Sequence, residues 1–310
     1  MRIAISGMRG SLGRILYERL SDEGHSVVGL TRHATPRWAE WRHEDYTHQA
    51  SSIQSIKDVD VLIHCAGGGL AGDKQAIFAA NTHTTKHLVD TVNQLRQPLL
   101  FIFVSSIAAG GPADLLGRPR TPSDQPNPIS HYGHSKLAAE TILEQLSSQH
   151  RAFTFRLPTC HGGYEYRWDQ LLKCAQHGLM VLPPPMHLSH IHVRDVAEAT
   201  IHLLRDPPIA SKTWNLCSPE SFRWTDLPTM VERLLRRPIR SVSMPRQQLS
   251  MPMLKLLTTM ESFGFPASRY TDKLRDAQYS DWRADASECY NALKFTPQRT
   301  LADGLKEMIA

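Results

Sequence analysis

A tyrosine and a lysine four residues apart, Tyr132 and Lys136, are the pair in this chain best suited to proton chemistry. They open a run, Lys136-Leu-Ala-Ala-Glu-Thr-Ile-Leu-Glu-Gln-Leu146, whose composition and apolar spacing predict a helix. Side chains at i and i+4 of a helix share a face. A phenol with a pKa of about 10 is a poor acid or base at neutral pH, and a neighbouring ammonium stabilises the phenolate and lowers that value. Such a pair could give a proton to a carbonyl oxygen or take one from an alcohol. By itself the pentamer is equally two solvated side chains, so its meaning depends on the elements that would position it.

Those elements begin at the N-terminus. Arg2-Ile-Ala-Ile-Ser6 has the pattern of a short buried strand and runs into Gly7-Met-Arg-Gly10-Ser-Leu-Gly13. An amphipathic helix follows over 14–23, Gly24 ends it, and 25–31 predicts a second strand. Strand, glycine turn, helix and strand make half of a dinucleotide-binding βαβ unit. The glycines let the backbone approach a pyrophosphate, and the helix N-terminus offers free N–H groups and a positive dipole end. Past the second strand stands Thr31-Arg32-His33, where an NAD site carries a carboxylate for the ribose 2′-OH. Arg32, joined by Arg9 of the glycine turn, could hold a 2′-phosphate, so the sequence favours NADP(H), with NAD(H) as the alternative.

Residues 34–48 read as an irregular connection, followed by a short helix near 49–56. Strands are predicted at 58–66 and 97–104, the second ending in Ser105-Ser106, with a long helix carrying Asn81 over 75–96 between them. Further strands are expected at 151–157, 188–193 and 213–217, a loop at 158–163, and helices near 168–178, 194–204, 226–236, 246–262 and 299–309. His64 reads as a packed strand residue. His187, His190 and His192 lie on an alternating strand with no carboxylate or thiol at ligand spacing, so no metal is expected. Strict alternation of strands and helices fades after about 160. The fold class is therefore α/β: a Rossmann-type, doubly wound parallel sheet with a smaller, mixed C-terminal substrate lobe. Residues 1–160 would form the dinucleotide-binding core, and 161–310 the remaining core strands interleaved with that lobe.

The 310 residues carry a net charge of +5 with basic residues scattered, so no nucleic-acid footprint is indicated. Five cysteines without metal or disulfide spacing suit a reducing, cytoplasmic setting. No signal peptide is evident and no apolar run approaches a membrane span.

Taken together, the motifs resemble the extended short-chain dehydrogenase/reductases, in particular the NAD(P)-dependent nucleotide-sugar epimerase/dehydratase family. The resemblance rests on SGMRGSLG, the Asp45 region, VLIHCAG, Asn81, FVSSIAAGG, YGHSK, FRLPTCHG, IHVRDVAEA, WNLCSPE and LKFTPQRTLADGL, in that order along nearly the whole chain. It implies a small-molecule substrate, here a nucleotide sugar, and a homodimer built on the Tyr132 helix and the long helix before it. It implies Tyr132 as proton donor or acceptor, Lys136 lowering its pKa and holding the nicotinamide ribose, and Ser106 holding the reacting oxygen, with Ser105 as fallback. Gly7, Arg9, Gly10, Leu12 and Gly13 would form the phosphate turn, with Arg32 on the ribose side and Asp45 and Tyr46 near the adenine. Ala66, Gly67, Asn81, Ser105, Leu157 and Pro158 would also line the cofactor, and Gly68, Thr159 and His161 would join the two serines toward substrate.

Departures from the family pattern narrow the chemistry. Ile107-Ala108 stands where 4,6-dehydratases carry an acidic pair, which argues against dehydration. Gly110-Gly111 replaces the usual aromatic-Gly, His83 replaces a glycine, and Pro183-Pro184-Pro185 replaces a glycine-bearing stretch. The reading is an NADPH-dependent ketone reductase, with a 4-keto nucleotide sugar as its leading substrate. Its alternatives are a nucleotide-sugar 4-epimerase with tightly bound NAD and a non-catalytic NADP-binding regulatory protein.

Overall fold

The computed structural model describes residues 1–32, 39–43, 52–67, 73–114, 116–164, 168–244, 250–262 and 268–309. Asp45, Tyr46, Gly68 and most of the 34–48 connection lie outside the described residues. A seven-stranded sheet runs through the protein in the order β10-β6-β5-β4-β1-β2-β3. Its strands are β1 (Arg2–Ser6), β2 (Ser26–Thr31), β3 (Trp41–His43), β4 (Val61–His64), β5 (Leu100–Ser106), β6 (Arg151–Leu157) and β10 (Lys212–Asn215). Every pairing in it is parallel. β1, β4, β5 and β6 are apolar almost without interruption, as strands covered on both faces must be.

Alternate side chains feed two cores. Ile3, Ile5, Ile63, Ile102, Phe153 and Phe155 meet α1 (Ser11–Asp22) and α8 (Val193–Arg205) on one face. Ala4, Leu62, Phe101 and Phe103 meet α4 (Thr84–Val92) and α6 (His131–Leu143) on the other. The strand order reverses between β1 and β4, and open α/β sheets bind ligands at the carboxyl ends of strands flanking such a switch.

After β6 the chain leaves the sheet. It forms β7 (Thr159–His161), α7 (Asp169–Gln176), β8 (Leu179–Leu182) and β9 (His187–His192), then returns through α8 to β10. β11 (Ser221–Arg223), β9 and β13 (Asp281–Trp282) form a small sheet with β7 paired to β9, and β12 (Arg240–Ser243) pairs with β8. Trp168, Leu172, Met180, Phe222, Leu227 and Trp282 build a third core there, with α9 (Leu227–Leu235) and α13 (Leu301–Ile309) against it. The small lobe also holds α10 (Ser250–Ser262), α11 (Ser268–Asp276) and α12 (Ser287–Leu293).

Three readings need correction. The irregular connection before residue 49 contributes β3 as the sheet's edge strand, paired with β2, and the short helix expected after it is α2 (Ser52–Ile56). The loop at 158–163 includes β7, which pairs with β9. The long helix over 75–96 is α3 (Lys74–Phe78), a π-helical turn at Ala79–His83 and then α4. Asn81 explains the break. Its Nδ2 donates to Ile77 O at 3.0 Å, taking up a carbonyl of the helical ladder.

Candidate active site

β1 ends at Ser6, and the chain reverses through Gly7, at φ +74, into α1. A Cβ on Gly7 would stand 2.6 Å from Ala66 N, and one on Gly13 2.3 Å from Gly7 O. The turn is thus held tight against the end of β4 by residues that must be glycine. Gly10 is exposed and Leu12 packs its side chain into the main core, so open backbone faces outward at the start of α1. This cradle fits a dinucleotide pyrophosphate, which would take the free amides at the helix start. Arg9 and Arg32 are exposed at the same end of the sheet.

The lysine of the opening pair is buried at 5% exposure, and its Nζ donates to Val104 O at 3.1 Å. It lies 5.0 Å from the Phe103 ring centroid and 6.0 Å from that of Tyr132. A Cβ on Gly67 would stand 3.3 Å from Lys136 Nζ and 2.5 Å from Asn81 Oδ1, so the end of β4, the π turn and α6 converge on one point. Burial pulls the Lys136 ammonium down to about 8, opposed by Cys65 and Glu140. Burial also pushes the Cys65 thiol up to about 12, so at neutral pH Cys65 carries no charge and Glu140 is the anion that supports the ammonium.

Glu140 is itself clamped. Arg156 reaches it with Nη2 at 2.6 Å and Nε at 3.0 Å, and Ser105 Oγ donates to it at 2.5 Å. Arg156 and Glu140 expose only 5% and 8% of their side chains. The guanidinium therefore fixes the helix turn that follows Lys136.

A chain of hydrogen bonds joins the glycine turn to the same helix, and its directions are determined. Ala66 N donates to Ser6 Oγ at 3.3 Å, and Ser6 Oγ lies 2.6 Å from His64 Nδ1. His64 Nε2 lies 3.0 Å from Thr85 Oγ1, which donates to Asn81 O at 2.6 Å. The Thr85 proton is therefore spent, so His64 carries its proton on Nε2 and accepts from Ser6 on Nδ1. Burial, with Lys136 adding to it, lowers His64 to about 3 and keeps the imidazole neutral. Asn81 Nδ2 donates to Ser135 Oγ at 3.0 Å, and Ser135 Oγ donates to Tyr132 O at 2.8 Å. His64 is packed, as its strand position suggested, and it is also the central relay of this chain.

The start of the Tyr132 helix has a second support that the sequence did not reveal. Ser130 caps it, accepting from Gly133 N at 3.2 Å. Asp272 accepts from His131 N and Tyr132 N, both at 2.9 Å, and is 1% exposed. Three of the four amides that a helix start leaves open are thus taken by side chains. Asp276, one turn on, is pushed up to about 7 by burial and by Asp272, against Ser130 and Arg275. Asp272 sits 140 positions from Tyr132, so no local pattern could announce it. On the far side, a Cβ at Gly133 would strike Ala108 O at 2.5 Å, which brings the turn after Ser106 directly against the tyrosine helix.

The profile of the NAD dependent epimerase/dehydratase family matches residues 3–217. The chain belongs to this family. Among curated relatives, dTDP-6-deoxy-L-talose 4-dehydrogenase (NAD(P)(+)) of Kitasatospora kifunensis is 26% identical over 144 residues, covering 44% of this chain and 45% of that protein. UDP-glucose 4-epimerase of Vibrio cholerae is 23% identical and covers 98% of this chain and 93% of its own length. Among solved structures, MoeE5 in complex with UDP-glucuronic acid and NAD superposes with a TM-score of 0.80 at 18% identity, covering 100% of this chain and 98% of that one. The chain therefore spans less than half of the first of these relatives and nearly all of the other two.

For a member of this family, the positions singled out in the sequence are not all on one wall. Tyr132, Lys136, Asn81, Ala66, Gly67 and the glycine turn gather around the ends of β1 and β4. Leu157 and Pro158 are buried at the end of β6, beside Ser106, with which Leu157 is in register. Ser106 Oγ caps α5 (Ile107–Gly110), accepting from Ala108 N at 3.2 Å, and stays half-buried. Ser105 points to the opposite face and is spent on Glu140. His161 turns into the small lobe, where its Nε2 meets His190 Nδ1 at 2.9 Å, while Thr159 in β7 stays half-buried in register with His190. Among the described residues no cluster of His, Cys, Asp or Glu has the arrangement of a metal site, and no helix is long and apolar enough to cross a membrane.

Proposed function

We propose that this protein is an NADP(H)-dependent ketone reductase acting on a nucleotide-activated sugar, with a 4-keto group as the reacting centre. The observation that carries this reading is Lys136, buried between the β5 backbone and Asn81 and one helical turn from Tyr132. An ammonium held there favours the phenolate and so makes Tyr132 a proton donor that works near neutral pH. Ser106, half-buried at the start of α5, holds the substrate oxygen, and Tyr132 gives it the proton. The nicotinamide, when bound, supplies hydride to the adjacent carbon. Asn81 and the relay through His64 keep Lys136 and the glycine turn in fixed relation, so orientation is the chain's main contribution.

Preference for NADP(H) follows from Arg32 and Arg9. A carboxylate at the end of β2 would repel a 2′-phosphate, whereas guanidiniums hold it in bidentate fashion. A relative that matches part of this chain is named a 4-dehydrogenase with NAD(P)(+) as cofactor, and oxidation of a 4-hydroxyl is the reverse of the reduction proposed here. A homodimer through the outer face of α6 completes the proposal. That face, with α3, borders a groove of about 670 Å³ lined by Phe78, His134, Leu137 and Thr141.

The test is to incubate the purified protein with NADPH or NADH and a panel of 4-keto nucleotide sugars while following the loss of reduced-nucleotide absorbance. NADPH consumption that falls about 10²- to 10⁴-fold in Tyr132→Phe, with NADPH binding retained, supports the reading. Interconversion of a 4-hydroxyl epimer pair with no added cofactor would overturn it in favour of an epimerase, the activity named for the relative matched over nearly the whole chain.

A further inference from the structure

Gly110-Gly111 stands where the family pattern that the sequence resembles has an aromatic-Gly pair, and no side chain fills the space beside Gly110. Beside Gly110 lies a small internal void with room for a water molecule or a monatomic ion. Ile107 and Trp282 form apolar parts of its wall, and Arg120, Arg156, Thr121 and Asn215 form polar ones. Arg120 is 7% exposed. Its Nη1 donates to Pro112 O at 3.3 Å and its Nη2 to Gln125 O at 2.6 Å, but its Nε is buried without a partner. A Cβ built on Gly110 would stand 3.7 Å from Arg120 Nε and 3.4 Å from Arg156 Nη1, so both guanidiniums border the same void.

Among the described residues no carboxylate contacts the Arg120 guanidinium. Arg156 spends Nε and Nη2 on Glu140. Arg283, also on the cavity wall, is paired with Asp281 at 2.7 Å, and Asp124 with Arg118 at 2.7 Å. Arg120 is left with carbonyl oxygens alone. Burial holds it below the usual guanidinium value; Asp124 opposes that, and Arg156 and Arg118 add to it. A guanidinium cannot shed its proton at working pH, so it stays a buried cation. A water molecule in the cavity would satisfy the N–H but leave the charge uncompensated, which is the costly part. A small anion would do both.

We infer that a monatomic, monovalent anion of the chloride type binds between Arg120 and Arg156 in the cavity beside Gly110. Sulfate, phosphate and carboxylic acids are too large for that space. The site is structural in its reach. Asn215 Nδ2 donates to Arg120 O at 2.7 Å, Arg120 N to Arg283 O at 3.0 Å, and Asp285 N to Arg120 O at 2.8 Å. Arg120 thus fastens the segment after Ser106 to β10 and to the chain leading into α12, so an occupied cavity stiffens the joint between the main sheet and the small lobe.

The test is thermal unfolding of the full chain in sodium chloride, sodium bromide and sodium gluconate at one ionic strength. Chloride and bromide should give a saturable rise in Tm of about 2 to 4 °C over gluconate, since a ligand of the folded state alone stabilises by mass action. In Gly110→Ala the new Cβ would meet Arg120 and Arg156 at ordinary van der Waals distance and occupy the anion's place, so the halide response should vanish. A bromide soak of wild-type crystals should place an anomalous peak between Arg120 Nε and Arg156 Nη1. Equal Tm values in chloride and gluconate, an undiminished halide response in Gly110→Ala, or a water without anomalous signal in the cavity would each overturn the inference.

Discussion

Lys136 has to stay charged in a place that disfavours charge. Burial brings its ammonium down to about 8, well under the value of an ordinary lysine. The charged fraction therefore begins to fall in the range where an exposed lysine would be fully protonated. We expect kcat/KM for ketone reduction to fall as pH rises through about 8, because this parameter reports groups of the free enzyme. A profile flat to pH 10 would remove Lys136 from the role proposed for it. Tyr132 and Lys136 were legible in the sequence because their relation is local, fixed by a helix turn. Between Ser105 and Ser106 the resemblance favoured Ser106, but the bond that withdraws Ser105 was hidden, since neighbouring residues of a strand face opposite ways and Glu140 lies 35 positions away.

At the scale of elements, the helix bearing the tyrosine is anchored at its start by another helix. Asp272 of α11 accepts from the amides of His131 and Tyr132, and charge-assisted bonds to a helix N-terminus are among the stronger caps. Asp272→Ala should lower stability by about 1–2 kcal/mol in urea unfolding. It should also lower kcat with little change in NADPH affinity, because the loosened residue is Tyr132 and the glycine turn is untouched. A variant with unchanged kcat would make Asp272 a folding residue alone. Elements with a clear period, such as α8, β1, β2 and β6, were readable within a residue or two, whereas α1 begins three residues earlier than its apolar period suggested, inside the glycine turn. β3, β7, β11 and β13 were not, because strands of two or three residues have no period and exist through partners distant in the chain. The π turn was equally hidden, since it accompanies side-chain bonds from Asn81 to Ile77 O and Ser135 and from Thr84 to Ala79 O that no period announces.

For the molecule as a whole, buried titratable groups set the response to acid. Burial lowers His64 to about 3, His190 to about 4, and His161 still further, the last also through His190 and His192. A histidine lowered in the folded state contributes stability that is full above about pH 6.5 and is lost as pH falls toward its folded value. Asp276 works the other way. Raised to about 7, it contributes stability below about pH 4 that is lost as pH rises to 7. Near pH 5 the unfolded chain therefore takes up three protons on these histidines, and the folded chain keeps one on Asp276. From these four groups alone, net uptake of about two protons on unfolding corresponds to a loss of about 2–3 kcal/mol per pH unit on acidification, and His25, His150, His187 and His192, also lowered by burial, act in the same direction. The loss should fall hardest on the small lobe, where His161 packs under α13 against Gly304 and bonds to His190 of β9. Denaturant unfolding at pH 7 and pH 5 measures it. His190→Phe separates the causes. It leaves His161 Nε2 without its partner and so costs about 1–3 kcal/mol at pH 7. It also removes one titrating group and should reduce the pH slope by about one proton's worth. A stability unchanged between pH 7 and pH 5 in the wild-type protein would mean that the histidine cluster takes up protons while still folded.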